Sequence, residues 1–350
     1  MTDPSGPDSA SPLDAPRSRR EAARARRAQS AADAGAGFQT HMRAARSEFE
    51  NQVAHARAEF EEANARITQR TGRNLILAIV IGLAIGAAVL ASLLFVKWIF
   101  LFFALAASTL GIFEFTRALQ ASGRRIDLVP QLIAGTLLLA SGYFAHLWLH
   151  WVATIAAVAL VIVWRLLGQM FARDGRTYGA VLSDVLVSGF VQLYVPFLTS
   201  LAMVLLSEPR GEWWVLAFLI VAVAADTGAY VSGLTFGRSG RHLMAPRISP
   251  KKTWEGFAGA AVVALAAGVV LALYMLGLPW WAGLIFGGVI LLTATAGDLG
   301  ESMIKRDLGI KDMSSWLPGH GGVLDRLDSI LPSATAALAL FYLLIPLAAA

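Results

Sequence analysis

Stretches of roughly twenty apolar residues recur from Asn74 to the end of the chain, and this pattern restricts the fold more than any other feature. About twenty apolar residues in a helix cross a hydrocarbon layer ~30 Å thick. The repetition therefore predicts an all-α polytopic membrane protein. Charged residues make up only 15% of the chain, against about 25% in soluble domains, so an ordinary soluble enzyme is excluded. The lack of cysteine excludes disulfide frameworks, thiolate metal centres, iron–sulfur clusters and a cysteine nucleophile.

Hydropathy predicts nine spans, over about 74–95, 97–118, 130–147, 150–167, 181–205, 213–236, 254–277, 279–297 and 329–347. Residues 1–72 stand apart from this 73–350 membrane domain: Pro, Ser, Asp and Ala lead into Arg17, Arg19, Arg20, Arg24, Arg26 and Arg27. They read as a mostly disordered tail. A helix is expected over 41–69, where pairs such as Glu62 and Arg66 stand at i,i+4. The first apolar stretch lies more than seventy residues in, which argues against a secretory signal. With the N-terminus in the cytoplasm, Lys97 and Arg210 are the only two of the 29 lysines and arginines on the outer side, the positive-inside arrangement. The net charge of +5 then marks a membrane face rather than a nucleic-acid partner. Trp148, Trp151, Trp213, Trp214, Trp280 and Trp281 suit an interfacial aromatic belt.

Polar residues of the membrane domain gather, on this reading, in three places after residue 220, at the cytoplasmic ends of adjacent spans. The first is Asp226-Thr227-Gly228-Ala229-Tyr230, inside an apolar stretch. A carboxylate there needs a partner, a bundle interior or a water-filled cavity, and Gly228 and Gly233 would permit close helix contact. The second, Arg247 to Gly256, carries Ser249, Pro250, Lys251, Lys252, Thr253, Trp254 and Glu255 straight into the seventh span. With Pro250 just outside a helix start and Ser249 and Thr253 as candidate caps, free N–H groups and two lysines would form an anion site. The bland reading of the lysines is a topology signal.

The third place is the densest. Asp298, Glu301, Ser302, Lys305 and Arg306 are followed by Lys311-Asp312 and by Pro318-Gly319-His320-Gly321-Gly322-Val323-Leu324-Asp325-Arg326-Leu327-Asp328. If the eighth helix continues past Asp298, then Glu301 and Ser302 share its face and Lys305 lies one turn beyond; a ninth helix starting near Gly322 would put Asp325 and Asp328 on one face. Three aspartates beside Lys305, Arg306 and Arg326 favour a hard cation such as Mg²⁺. Such parts suit phosphoryl or nucleotidyl transfer, in which positioning and charge neutralisation do most of the catalysis. Gly319, Gly321 and Gly322 would let backbone approach a phosphate, and His320 would donate to a phosphate or carry a proton. There is no P-loop motif, and Asp174-Gly175-Arg176 does not begin the D-G-x-x-A-R pattern of CDP-alcohol phosphotransferases.

The run Ser302-x-Ile304-Lys305-Arg306-x4-Lys311-Asp312-x-Ser314-x2-Leu317-Pro318-x-His320-Gly321-Gly322-Val323-x-Asp325-Arg326-Leu327-Asp328 resembles the signature of the phosphatidate cytidylyltransferase (CDP-diacylglycerol synthase) family. The segments at 226–230 and 249–256 are similar to that family's too, in the same order, so the motif-bearing part is 220–330. The Arg-rich tail is no part of the resemblance. The resemblance implies transfer of CMP from CTP to phosphatidic acid with release of pyrophosphate, at the cytoplasmic face of the cell (inner) membrane. Mg²⁺ is then held by Asp298, Asp325 and Asp328, while Asp226 supports these ligands or binds a second cation. Lys305, Arg306, His320 and Arg326 are the expected catalytic residues, and Ser249, Lys251, Lys252, Thr253, Trp254, Glu255, Gly321 and Gly322 the substrate-binding ones. The expected partners are CTP, phosphatidic acid and the bilayer, with no nucleic acid; a homodimer is compatible with this reading. Two rivals stay open: a CTP-dependent polyprenol or dolichol kinase, and an ion-coupled transporter with acids along its path.

Overall fold

The structure is a computed structural model that describes residues 24, 75–172, 174–237, 242–314 and 321–348. Apart from Arg24, the 1–72 tail and the helix expected over 41–69 lie outside the described residues. The unit Ile76–Ala350 is helical almost throughout its described residues. In chain order come α1 (Leu75–Phe95), α2 (Lys97–Ala121), α3 (Leu128–Phe144), α4 (Leu147–Phe171), α5 (Tyr178–Gln192), α6 (Leu198–Ser207) and α7 (Gly211–Thr235). After a small hairpin come α8 (Trp254–Leu271), α9 (Trp280–Asp307), α10 (Leu324–Leu327) and α11 (Ile330–Leu344). Among the described residues seven helical segments are long and apolar enough to cross a membrane, whereas Gly82–Phe95 and α3 are shorter. The chain is a multi-pass membrane protein.

Local chemistry accounts for the boundaries. Thr177 caps α5 by accepting from the Ala180 N–H at 3.3 Å, and Thr253 caps α8 by accepting from the Gly256 N–H at 3.1 Å. Between α5 and α6 the helix widens into a π turn, Leu193–Phe197, around Pro196. Proline has no N–H to continue the ladder and its ring crowds the preceding turn. The span expected over 181–205 is therefore two helices joined at a proline.

Small residues bring the motif-bearing helices together. A Cβ on Gly228 of α7 would stand 3.0 Å from the Gly259 carbonyl oxygen of α8, and one on Gly268 of α8 would run into the backbone of α9 at Gly283 and Gly287. In lipid, where no hydrophobic force separates helix from solvent, such close backbone approach supplies the dispersion contact that holds helices together. Away from the motifs the three-helix contact is apolar: Trp214 packs edge-on against Phe286 and Phe341, with ring centroids 5.8 and 5.3 Å apart.

The expectation that polar residues gather only after residue 220 is incomplete. Arg165 of α4 and Asp184 of α5, both buried, form a salt bridge at 2.9 Å, and Arg176 joins the same carboxylate. The Arg125 backbone N–H also donates to Asp184 at 3.1 Å. Close by, Asp174 accepts from Gln169 Nε2 at 3.0 Å, and that hydrogen bond, aided by the Arg176 N–H and Arg125, holds its carboxyl below the usual carboxylate range. Gln131 and Gln192 pair across α3 and α5, and His150 sits between the Ser141 and Ser200 hydroxyls at 2.9 and 3.2 Å. Single polar residues spaced through apolar runs leave window hydropathy high, so the pairing becomes visible only when the helices are packed.

Candidate active site

The segment 243–253 is not the plain loop that its proline suggested. Leu243–Ala245 and Ser249–Thr253 form a two-stranded antiparallel hairpin, β1 and β2, so that Pro250 lies within β2 rather than just outside a helix start. Ser249 opens β2 and is not a helix cap; Thr253 alone caps α8. Proline's fixed extended φ suits an edge strand, where its missing N–H breaks no ladder. The hairpin is pinned at both sides: Arg306 Nε donates to the Ile248 carbonyl at 3.2 Å, and the Trp254 N–H donates to the His242 carbonyl at 3.0 Å.

Between this hairpin and helices α7, α8 and α9 lies a cavity of about 230 Å³. Asp226 and Tyr230 enter from α7, Lys251, Lys252 and Thr253 from β2, and Asp298 from α9; Phe257, Ala260, Leu291 and Ala294 make its apolar wall. Lys252 and Asp298 form an ion pair across it. Segments about seventy residues apart in the chain thus meet because glycines let α7, α8 and α9 approach.

Helix α9 does continue past Asp298, to Asp307, which puts Glu301, Ser302 and Lys305 on successive turns of one face. Ser302 Oγ donates to Asp298 Oδ1 at 3.4 Å. Lys305 Nζ donates to Asp325 Oδ1 at 2.8 Å and lies 3.3 Å from Glu301 Oε1, within ion-pair range but off hydrogen-bond alignment. Glu301 is fully buried, and neither of its carboxylate oxygens has a hydrogen-bond partner among the described residues. The buried Tyr194 hydroxyl, in the π turn, is likewise unpartnered among them.

Asp325 and Asp328 differ more than their shared spacing suggests. The Asp325 carboxylate accepts from Lys305, from the Gly322 N–H at 2.7 Å and from the Met313 N–H at 3.0 Å. Asp328 accepts from Ser329, by N–H at 2.6 Å and Oγ at 3.1 Å, and its backbone carbonyl lies directly against Gly297, beside Asp298. Asp298 and Asp328 are therefore neighbours through the backbone, whereas Asp325 is already taken up by a cation and two amides. Among the described residues no three His, Asp or Glu side chains converge tightly enough to form a ready metal cage. Asp226, Asp298 and Asp328 carry carboxylate oxygens, the donor type that suits a hard cation, and the Glu301 carboxylate beside Lys305 accepts no hydrogen bond among the described residues.

The other expected residues have several fates. Lys251 and Lys252 line the cavity, Trp254 is exposed and packs edge-on against Phe257 at 5.9 Å, and Glu255 pairs with His242 at 2.6 Å. Arg306 is engaged with the hairpin carbonyl rather than with the carboxylates, and Arg326 is exposed. Gly321 has φ +83°, a left-handed conformation natural to glycine, and a Cβ on Gly322 would stand 2.7 Å from Glu114 Oε2. His320, with Pro318 and Gly319, lies outside the described residues. Sequence reasoning missed Glu114. It is an acid within the otherwise apolar run of α2, and the intramembrane-acid argument applied to Asp226 would have singled it out.

Comparison with known proteins shows the family. Residues 76–344 match the model of the cytidylyltransferase family. The chain is 40% identical over 283 residues to the phosphatidate cytidylyltransferase of Mycobacterium bovis, covering 77% of this chain and 89% of that protein. The same identity over the same length relates it to the Mycobacterium tuberculosis phosphatidate cytidylyltransferase, of which 83% is covered. The enzyme of the same name from Brucella suis is 30% identical over 247 residues, 69% of this chain and 83% of that protein.

Proposed function

The chain belongs to the cytidylyltransferase family, and from that membership together with the cavity we propose how its residues share the work. The protein is a nucleotidyltransferase that converts CTP and phosphatidate to CDP-diacylglycerol and pyrophosphate. A phosphatidate oxygen attacks the α-phosphorus of CTP, the bond from that phosphorus to the bridging oxygen breaks, and the electron pair leaves with pyrophosphate. The enzyme itself forms no covalent bond to substrate.

The meeting of the 226–230 and 249–256 segments with Asp298 in one cavity is the observation that carries this reading. The apolar wall of Phe257, Ala260, Leu291 and Ala294 suits the acyl-chain hydrocarbon of the lipid, and the charged rim suits phosphates. Lys251 and Lys252 bind substrate phosphate at the rim of the cavity, beside the start of α8. Lys305 and Arg326 offset negative charge on the departing pyrophosphate or the lipid phosphate. Asp226, Asp298 and Asp328 would hold Mg²⁺, which when bound supplies neutralisation of the triphosphate charge. Asp325, an expected metal ligand, is reassigned to hold Lys305 and the neighbouring backbone. Lys252, paired with Asp298 across the cavity, turns to phosphate when CTP enters.

The charge pattern extends the reading to topology. With the N-terminus in the cytoplasm and the helices α1 and α3 also crossing, nine spans put the basic motif segments at the cytoplasmic face of the cell membrane. Soluble CTP and a lipid acceptor can meet only at such an interface. Purified protein given CTP, phosphatidic acid and Mg²⁺ should yield a CMP-bearing lipid and pyrophosphate, with activity lost to a chelator and regained on adding Mg²⁺. Transfer to a prenol in place of phosphatidate would overturn the acceptor.

A further inference from the structure

Glu114 is 2% exposed on α2, outside the helices that line the cavity. It nevertheless reaches the motif-bearing segment with both carboxylate oxygens. Oε1 accepts from Ser314 Oγ at 2.6 Å and from the Val323 N–H at 3.0 Å, and Oε2 accepts from the Leu324 N–H at 2.9 Å. Asp325 takes the adjacent donors, the Met313 and Gly322 N–H groups. Two carboxylates thus grip the same pair of short stretches, 313–314 and 321–324, which lie close together in space.

The sequence is fitted to this grip. A Cβ on Gly322 would stand 2.7 Å from Glu114 Oε2 and 3.1 Å from Asp325 Oδ2, and one on Gly321 would stand 2.9 Å from Asp325 Oδ2. The two glycines are required if both acids are to reach backbone amides. Around the polar contact, Ile112 and Phe115 of α2 pack in one buried cluster with Met313 and Leu324. Hydrogen bonds to a charged acceptor in such a dry setting are strong, and an acid without them would be costly.

We propose that Glu114 is a positioning residue for the transfer: together with Asp325 it fixes the backbone at 322–324, and through it the Lys305–Asp325 pair and the start of α10, which carries Arg326 and leads into Asp328. It touches neither substrate nor cation. The proposal rests on the cytidylyl-transfer reading above, and a misplacement of about 1 Å at such a site can cost roughly 100-fold in rate.

The test is steady-state turnover with CTP and phosphatidate, together with hydrogen exchange at residues 313–324. If the unmodified protein makes no CMP-bearing lipid, the functional reading fails; if it does, the variants judge Glu114 alone. Glu114→Gln turns an amide NH₂ toward backbone donors and should lower kcat at least tenfold, with KM for CTP changed less than threefold, while speeding exchange at Val323 and Leu324. Glu114→Asp keeps the charge and should recover part of kcat. Thr116→Val, which removes a buried hydroxyl unpartnered among the described residues on the same helix, should match the unmodified protein. Should Glu114→Gln fail to fold, Ser314→Ala replaces it, with a smaller fall in kcat and the same local exchange as the supporting result. Turnover within twofold of the unmodified protein, a loss that Glu114→Asp does not relieve, or exchange raised evenly over the whole chain overturns the proposal.

Discussion

The first and second halves of the membrane unit differ in what their buried charges face. From α2 to α6 the polar groups largely close on one another: Arg165 and Arg176 surround Asp184, Gln131 meets Gln192, and His150 is held by two serines. From α7 onward Asp325 is saturated in the same way, but Asp226 and Asp298 face a cavity and Glu301 lacks hydrogen-bond partners among the described residues. Saturated buried polar groups tie helices together, while unsaturated ones at a cavity wall cost stability and are kept for what they bind. Glu114 lies in the first half by sequence yet spends its hydrogen bonds on the second.

That contrast can be broken by measurement. Arg165→Met leaves the Asp184 carboxylate buried with one charge partner fewer, and should cost about 3–5 kcal/mol of stability. A drop in unfolding midpoint, with the folded fraction still turning over within about twofold of normal, is the expected result; lost activity in a stable protein would move this cluster into the site. Asp328→Asn should do the reverse, lowering pyrophosphate release by roughly 10²–10³-fold, a range known for removal of a transition-state electrostatic group, with the midpoint nearly unmoved. Near-normal turnover would remove Asp328 from the cation set, and Asp298→Asn offers the same test for its neighbour.

Lys305→Ala sharpens the comparison because Lys305 is both paired and placed for chemistry. It should lose roughly 100-fold in activity, about 2.7 kcal/mol, and also some stability, since Asp325 and Glu301 are left without their cation. A purely thermal effect would make it a structural lysine. The smallest effect is expected at Thr253→Ala, where loss of the α8 cap should cost about 1 kcal/mol in stability, read from the unfolding midpoint; no change at all would mean that the β-hairpin alone sets the start of α8.

Much of this is legible in the sequence alone. The apolar runs locate the helices, because a bilayer admits little else, and the motif residues Asp226, Lys251, Lys252 and Asp298 do meet in one cavity. The equivalence expected of Asp325 and Asp328 does not hold, since a three-residue spacing says that two side chains share a face but not which donors wait there. Ser249 fails as a cap for a similar reason: capping chemistry and edge-strand chemistry favour overlapping residue types around a proline. An acid inside an apolar run flags Glu114, but its backbone partner at Val323 stands 209 residues away along the chain, a separation that no local pattern records; Asp184 has its charged partners Arg165 and Arg176 outside its own helix, 19 and 8 residues away.

The reach of Glu114 across 209 residues also sets a schedule for biogenesis. At about 5–20 residues per second of synthesis, helix α2 enters the bilayer roughly 10–40 s before its amide partners leave the ribosome. Throughout that interval the acid must be tended by water, by the insertion machinery or by a chaperone. Maturation of the nascent chain is therefore completed from its C-terminal end.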